Sequence, residues 1–204
     1  MGMDNGRVPR LPLSAMRDQL RGELFGEFLP FMDRHVVDHE VGGFLCHADR
    51  DGARLSTRKH AWFDGRGLWV YAFLYNHFSG DPAHLEVARK TADFVLKRMP
   101  DDDAFWPATT ARDGSPLEFP NAPNYGRPSI YGDLFIATGL AEYSRIEGRG
   151  ACWDLAKRIL LKCLAIYDTR PGYGSLPAAD GAPAVDAPRI LGHWMILLRL
   201  ATDL

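Results

Sequence analysis

Apolar residues recur along the chain at helical spacing, and they predict six helical segments. The first runs from about Ser14 to Val37, where apolar residues three to four positions apart share one face, and Pro30 predicts a kink within it. The second, Arg66 to Phe78, is apolar nearly all round, which is typical of a helix surrounded by protein. The third, Pro82 to Met99, is amphipathic and follows Asp81, a natural N-cap.

The same alternation returns further along the chain. Segment Ser129 to Ile146 is apolar over most of its surface, Ala151 to Tyr167 is amphipathic, and the segment after Pro188 is apolar again. An offset of 66 residues overlays the apolar triplet at residues 68–70 on that at residues 134–136. We therefore predict an all-α fold in which inner and outer helices alternate, as in an α/α toroid, and six helices form half of a ring of twelve.

Loops rich in glycine, proline and aspartate separate these helices. Residues 42–46 and 53–55 predict a small β-hairpin around the turn Asp49 to Gly52, and residues 100–128 predict a second hairpin-like loop. A third loop spans residues 168–188, and we expect residues 1–12 to be a flexible N-terminal segment. Loops that return to one end of a toroid surround its central cavity, which is where we expect a ligand to bind.

Composition narrows the classes of function. The 24 basic and 26 acidic residues give a net charge of −2, so we expect no nucleic acid partner. Because the chain has no apolar run of bilayer length and no secretory pattern, we expect no membrane association. Three cysteines without CxxC spacing predict reduced thiols in a cytoplasmic protein.

Sequence motifs for common cofactors and metals are missing. The chain contains no GxSxG elbow, no P-loop and no dinucleotide-binding glycine motif. His35 and His39 have the i, i+4 spacing of metal ligands, but no third ligand follows at motif spacing. We therefore predict neither a metal nor a cofactor.

Candidate chemistry lies at the starts of the inner helices. Arg66 stands between two glycines near Trp62, and a fixed guanidinium beside aromatic faces suits a polyhydroxylated ligand. The alternative is that Arg66 pairs with Asp64 or Asp133 and that the tryptophans belong to the core. Tyr131 lies at the start of the second inner helix, and Trp62 lies just before the start of the first.

His193 and His60 have the side chain suited to proton transfer or hydrogen bonding, although a lone histidine on an apolar helix more often has a structural role. Asp64 and Asp133 also occupy inner-helix starts, and paired carboxylates across a cavity would serve a glycoside hydrolase. Capping a helix or forming an ion pair is the competing role for both.

Five stretches of the chain carry a further signal, which are DHEVGGF (residues 38–44), DRDG (49–52), KHAWFDGRGLWVY (59–71), IYGDLFIA (130–137) and GHWM (192–195). Together they resemble the N-acylglucosamine 2-epimerase family, which includes cellobiose 2-epimerases. The resemblance implies an (α/α)6 barrel that epimerises a ring-opened sugar at C2, with two histidines as acid and base.

The resemblance makes Arg66 the active-site arginine that stabilises the developing oxyanion. We predict that the sugar contacts lie among the candidates at the inner-helix starts, which are Trp62, His60, Tyr131, Asp133 and His193. Family members are about twice as long as this chain, and their catalytic histidines lie on later inner helices, one in a PGH motif that is absent here.

We therefore expect residues 1–204 to form the N-terminal half of a single (α/α)6 barrel domain, with little or no epimerase activity alone. Two alternatives remain. One is an (α/α)6-barrel carbohydrate hydrolase that uses paired carboxylates. The other is a non-catalytic half-barrel that binds sugar or assembles with a second copy as a homodimer.

Overall fold

The computed structural model describes residues 12–101, 104–117, 130–169 and 191–204. The predicted flexible N-terminal segment, apart from its last residue, and nearly all of the predicted loop at 168–188 lie outside these ranges. Two π-helical turns, Glu23–Phe28 and Tyr75–Ser79, follow α1 and α3. The α-helices of the described ranges are α1 (Leu13–Gly22), α2 (Leu29–His35), α3 (Ala61–Leu74), α4 (Pro82–Leu96), α5 (Ile130–Ser144), α6 (Ala151–Thr169) and α7 (Leu191–Asp203).

The predicted first helix is present as α1, the π-helical turn and α2 in direct succession. Pro30 lies in the first turn of α2. Proline has no N–H group, and its ring crowds the carbonyl four residues earlier, which here belongs to Gly26. The helix widens into its π-turn around that residue, so the irregularity comes before the proline.

Helix α3 begins at Ala61, five residues before its predicted start at Arg66. The predicted start was wrong because Gly65 and Gly67 look like helix-breaking residues in the sequence. A Cβ atom on Gly65 would lie 2.4 Å from the carbonyl carbon of Phe135, and one on Gly67 would overlap the Phe44 ring. These glycines therefore permit close packing within a helix and do not end it.

Helix α4 begins where its sequence predicts. The Asp81 carboxylate accepts a hydrogen bond from the Ala83 N–H group at 2.9 Å, and Pro82 occupies the first turn. Local capping chemistry is enough to set this boundary.

The regular strands of the described ranges are two residues long and lie outside the predicted hairpin. β1 (Lys59–His60) pairs antiparallel with β2 (Thr109–Thr110), with His60 opposite Thr109. The predicted hairpin at residues 42–55 forms only single bridges, Val37 with Phe44 and Ala48 with Arg54. β1 leads directly into α3, so the small sheet holds the start of an inner helix.

The inner helices α3, α5 and α7 are neighbours, with α5 in the middle, while α4 packs on α3 and α6 packs on α5. This confirms the predicted all-α alternation of inner and outer helices. The completely buried side chains of α5 include Leu134, Ile136 and Leu140. In the described ranges, every helix is too short or too polar to cross a lipid bilayer.

Candidate functional site

The first turns of α3 and α5 bring flat rings together. The Trp62 ring lies nearly parallel to the rings of Tyr131, at 5.8 Å between centroids, and Phe135, at 5.6 Å. Tyr131 and Phe135 are four residues apart on α5, so they lie on one face of that helix. Trp62 remains 37% exposed, and Tyr131 and Phe135 are half-buried. A planar apolar surface is therefore open to a ligand here.

Arg66 lies one helical turn after Trp62 and is exposed. Its guanidinium carbon is 5.3 Å from the centroid of the Phe135 ring, which is within cation–π range. Within the described residues, Arg66 forms an ion pair with neither Asp64 nor Asp133, because both carboxylates have other partners. We call Trp62, Arg66, Tyr131 and Phe135 the aromatic face.

The Asp64 carboxylate points into the protein. Its Oδ1 atom accepts the Phe44 N–H group at 2.9 Å and thereby attaches the preceding loop to α3. Burial raises the pKa of Asp64 to about 7, against the hydrogen bond from Phe44 and the charges of Lys59 and Arg98. Asp64 is therefore a structural anchor.

Asp133 has a similar place on α5. Its Oδ1 atom accepts the Trp106 N–H group at 3.0 Å, and its Oδ2 atom is 2.6 Å from Nζ of Lys162 on the outer helix α6. Burial raises the pKa of Asp133 to about 6, while Lys162 opposes the shift. With no exposed carboxylate surface, the predicted contact between Asp133 and a substrate has no support in this geometry. The same holds for paired carboxylates that include Asp64.

His193 on α7 lies behind the aromatic face. Its ring is 4.2 Å from the Tyr131 ring and 6.1 Å from the Tyr167 ring, and it is 1% exposed. Burial lowers its pKa, so the ring is neutral near pH 7. Its Nε2 atom is buried and has no hydrogen-bond partner within the described residues. Among the described residues, Tyr131 links His193 to the aromatic face.

His60 lies at the other end of the aromatic face, as the N-cap residue of α3. Its Nε2 atom is 2.7 Å from Nε2 of His47, and its Nδ1 atom is 3.1 Å from Oγ1 of Thr109. Burial lowers the pKa of His60 to about 4, aided by His47 and Arg58. Both ring nitrogens are therefore engaged inside the protein.

Sequence reasoning missed two members of this region, Phe135 and His47. The i, i+4 spacing of Tyr131 and Phe135 on an inner helix was the available signal for Phe135. Nothing local connects His47 with His60, because thirteen residues separate them. In the described part of the chain, no three histidine, cysteine, aspartate or glutamate side chains converge as metal ligands.

Comparison with known proteins supports the resemblance derived from the sequence. No family model matches the chain. It is 26% identical to bovine (Bos taurus) N-acylglucosamine 2-epimerase over 196 residues, covering 94% of this chain and 44% of the relative. The human (Homo sapiens) protein of the same name is 25% identical over 200 residues, covering 96% and 44%. The chain spans about half the length of these relatives and matches their N-terminal half.

Solved structures show the same fold. Cellobiose 2-epimerase from Bacillus thermoamylovorans superposes with a TM-score of 0.73 at 18% identity, covering 94% of this chain and 50% of that one. The cellobiose 2-epimerase from Spirochaeta thermophila gives 0.71 at 21% identity, covering 94% and 48%. These matches confirm that the helices described here have the arrangement of one half of an (α/α)6 barrel.

Proposed function

We propose that this chain supplies the arginine-bearing half of a sugar 2-epimerase active site. The observation that carries the proposal is the exposed guanidinium of Arg66, which lies beside nearly parallel rings on two rigid helices. Arg66 also lies in the stretch that most specifically resembles N-acylglucosamine 2-epimerases. The proposed substrate is a ring-opened sugar, such as an N-acylglucosamine or a related sugar, and the proposed process is carbohydrate metabolism.

The reaction needs a cation at a fixed position. When a base removes the proton on C2, the C1 carbonyl oxygen takes up negative charge and an enediolate forms. Return of a proton to the opposite face of C2 gives the epimer, with no net oxidation. Arg66 stabilises the oxyanion, because its guanidinium is a hydrogen-bond donor held in place beside the Phe135 ring.

The neighbouring rings hold the sugar. Aromatic planes pack on the C–H faces of carbohydrates, and Trp62 and Tyr131 present such planes. His193 lies behind Tyr131 and His60 precedes Trp62, so in this proposal both act on the sugar through those rings. Phe135 joins the predicted set as the ring that orients Arg66.

Proton transfer is assigned elsewhere. The resemblance places the acid and the base on later inner helices, and the PGH motif that carries one of them is absent from residues 1–204. We therefore expect the 204-residue chain to bind sugar and to catalyse little or no epimerisation.

Cell compartment and assembly are part of the same proposal. All three cysteines are free thiols, and Cys152 and Cys163 are buried, which supports the reducing cytoplasm. Trp194, Met195 and Leu198 on α7 are more than half exposed, which supports association with a second copy as a homodimer. Sedimentation at several concentrations tests the homodimer, and a single species of monomer mass would contradict it.

Deuterium incorporation tests the reaction. The complete product of the reading frame that contains this sequence is incubated in D2O with N-acetylglucosamine or cellobiose, and C2 is examined by NMR. We expect deuterium at C2, with a rate about 10²–10³-fold lower in Arg66→Met, since that is the usual cost of losing one oxyanion donor. Arg89→Met removes the same charge from the exposed face of α4 and should leave the rate unchanged.

Two results would refute the proposal. Undiminished exchange in Arg66→Met would show that the arginine is not involved. Cleavage of cellobiose without label at C2 would favour the hydrolase alternative, because hydrolysis exchanges no carbon-bound proton. The isolated 204-residue chain should give no label and should still show saturation-transfer signals from bound sugar.

A further inference from the structure

Three separate segments of the chain meet at the ring of His60. His47 comes from the loop after α2, His60 from β1 and Thr109 from β2. Nε2 of His60 is 2.7 Å from Nε2 of His47, and Nδ1 of His60 is 3.1 Å from the Thr109 hydroxyl. The same ring packs nearly perpendicular to the Phe63 ring, with 5.5 Å between centroids. His60 is therefore fixed from three sides.

The bond between the two histidines depends on their charge. One Nε2 atom must carry the hydrogen and the other must accept it, so at least one ring has to be neutral. If both rings were protonated, two N–H groups would face each other and the bond would break. The Thr109 hydroxyl can donate or accept, so it satisfies either arrangement of the hydrogens.

The surroundings keep the rings neutral. Burial lowers the pKa of both His47 and His60, and Arg58, on the segment before β1, adds a positive charge that acts on both. β2 contributes the uncharged Thr109, and α3 contributes Phe63. The nearest carboxylate on α3, Asp64, is bonded to the Phe44 N–H group instead.

This chain of hydrogen bonds acts on the start of α3. His60 is the N-cap residue, yet its side chain makes no capping bond to the helix. The first turn is attached instead through the Ala61 N–H bond to the Ala108 carbonyl and through the bonded His60 ring. Trp62 follows directly, and helix ends loosen when such attachments are lost.

We propose that His47, His60 and Thr109 form a positioning device that fixes the first turn of α3, and with it the orientation of the Trp62 ring against Tyr131. Its purpose, the presentation of a stacking surface to sugar, rests on the proposed function. The attachment of the first turn of α3 exists in the protein without a ligand, so the test uses the protein without sugar.

The test uses the full chain labelled with 5-fluorotryptophan and one-dimensional ¹⁹F NMR. Trp62→Phe assigns the Trp62 line, and Trp153 on the outer helix α6 provides the reference line. At pH 7 we expect Thr109→Val to shift and broaden the Trp62 line and to leave the Trp153 line in place. Thr109→Ser keeps the hydroxyl and should restore the wild-type spectrum.

His47 provides a second, independent pair of variants. His47→Phe keeps a ring but removes the bond, so the Trp62 line should be displaced at every pH. His47→Gln can accept from a protonated His60, so its Trp62 line should stay constant as the pH falls. In the wild type the line should move as the pH falls through about 4, the value to which burial lowers the pKa of His60, because the second ring then takes up a proton. His39→Phe, an exposed histidine near the same loop, is the matched control.

Either of two outcomes would overturn the inference. One is an unchanged Trp62 line in both Thr109→Val and His47→Phe. The other is an equal displacement of the Trp62 and Trp153 lines, which would show general loosening and no local positioning. Neither outcome depends on sugar, so this inference and the proposed function can fail separately.

Discussion

The ion pair between Lys59 and Asp38 should be the most sensitive polar contact in the fold. Both side chains are fully buried, and Lys59 Nζ lies 2.9 Å from the nearer Asp38 oxygen. The ammonium also donates to the Gly42 carbonyl. Burial alone would raise the pKa of Asp38, but hydrogen bonds from Arg112, Lys59 and Val41 outweigh it and hold that pKa well below its ordinary value. The carboxylate is therefore charged at neutral pH.

Replacing Lys59 by methionine keeps most of the stem but removes the ammonium group, which lies 4.1 Å from the centroid of the Phe94 ring. Removal of one partner from a buried pair costs about 3–5 kcal/mol, since the other charge stays behind. Arg112 still contacts Asp38 through two nitrogens, so we expect the lower end, about 3 kcal/mol. For a domain of this length that corresponds to a fall in Tm of about 6–12 °C.

Urea unfolding at pH 7, followed by circular dichroism, measures this loss. Arg112→Met is the matched control, because its side chain is 39% exposed. It should destabilise the fold less than Lys59→Met does, because solvent screens an exposed guanidinium. The double variant Asp38→Asn/Lys59→Met should be more stable than Lys59→Met, since no buried charge is left uncompensated. A loss below about 1 kcal/mol in Lys59→Met, or no recovery in the double variant, would refute this reasoning.

Three further predictions concern the inner helices. Gly139→Ala should destabilise the fold by about 1–3 kcal/mol in urea unfolding, because the new Cβ would lie 2.6 Å from the Gly65 carbonyl oxygen. Leu134→Ala should cost about 2–5 kcal/mol by the same measurement, since its side chain is completely buried. Asp64 has a pKa raised to about 7 in the folded state, so its contribution is favourable in acid and is lost as the pH rises from about 4 through 7. Asp64→Asn should flatten that slope, and an unchanged slope would contradict the assignment.

The alternation of helices was predictable because its signals are local. An amphipathic helix shows its apolar face within a few turns of sequence, and the start of α4 is set by Asp81 and Pro82 side by side. Arg66 could also be identified from the sequence, because the two glycines and Trp62 that mark it are its near neighbours in the chain. The match to half of a known barrel confirms the predicted alternation of helices.

The contacts within the site were harder to predict from the sequence because they join residues that lie far apart in the chain. Lys162 meets Asp133 from another helix, so the sequence left open whether that carboxylate faces a ligand. The start of α3 was misplaced because a glycine such as Gly65 suggests a helix end when only its sequence neighbours are considered. In the fold, its missing side chain makes room for the backbone at Phe135. No sequence pattern predicts the hydrogen bond between His47 and His60.

The contact between Gly65 on α3 and Gly139 on α5 fixes the spacing of the two helices, whereas other residues of these helices carry the candidate chemistry. Where Gly65 and Gly139 meet, the two backbones approach closely, so backbone atoms largely set the distance between the helices at this point. Trp62 and Arg66 on one helix, and Tyr131 and Phe135 on the other, extend from a frame whose width is already set. Substitutions among these four can alter what the surface recognises while its supports keep their distance.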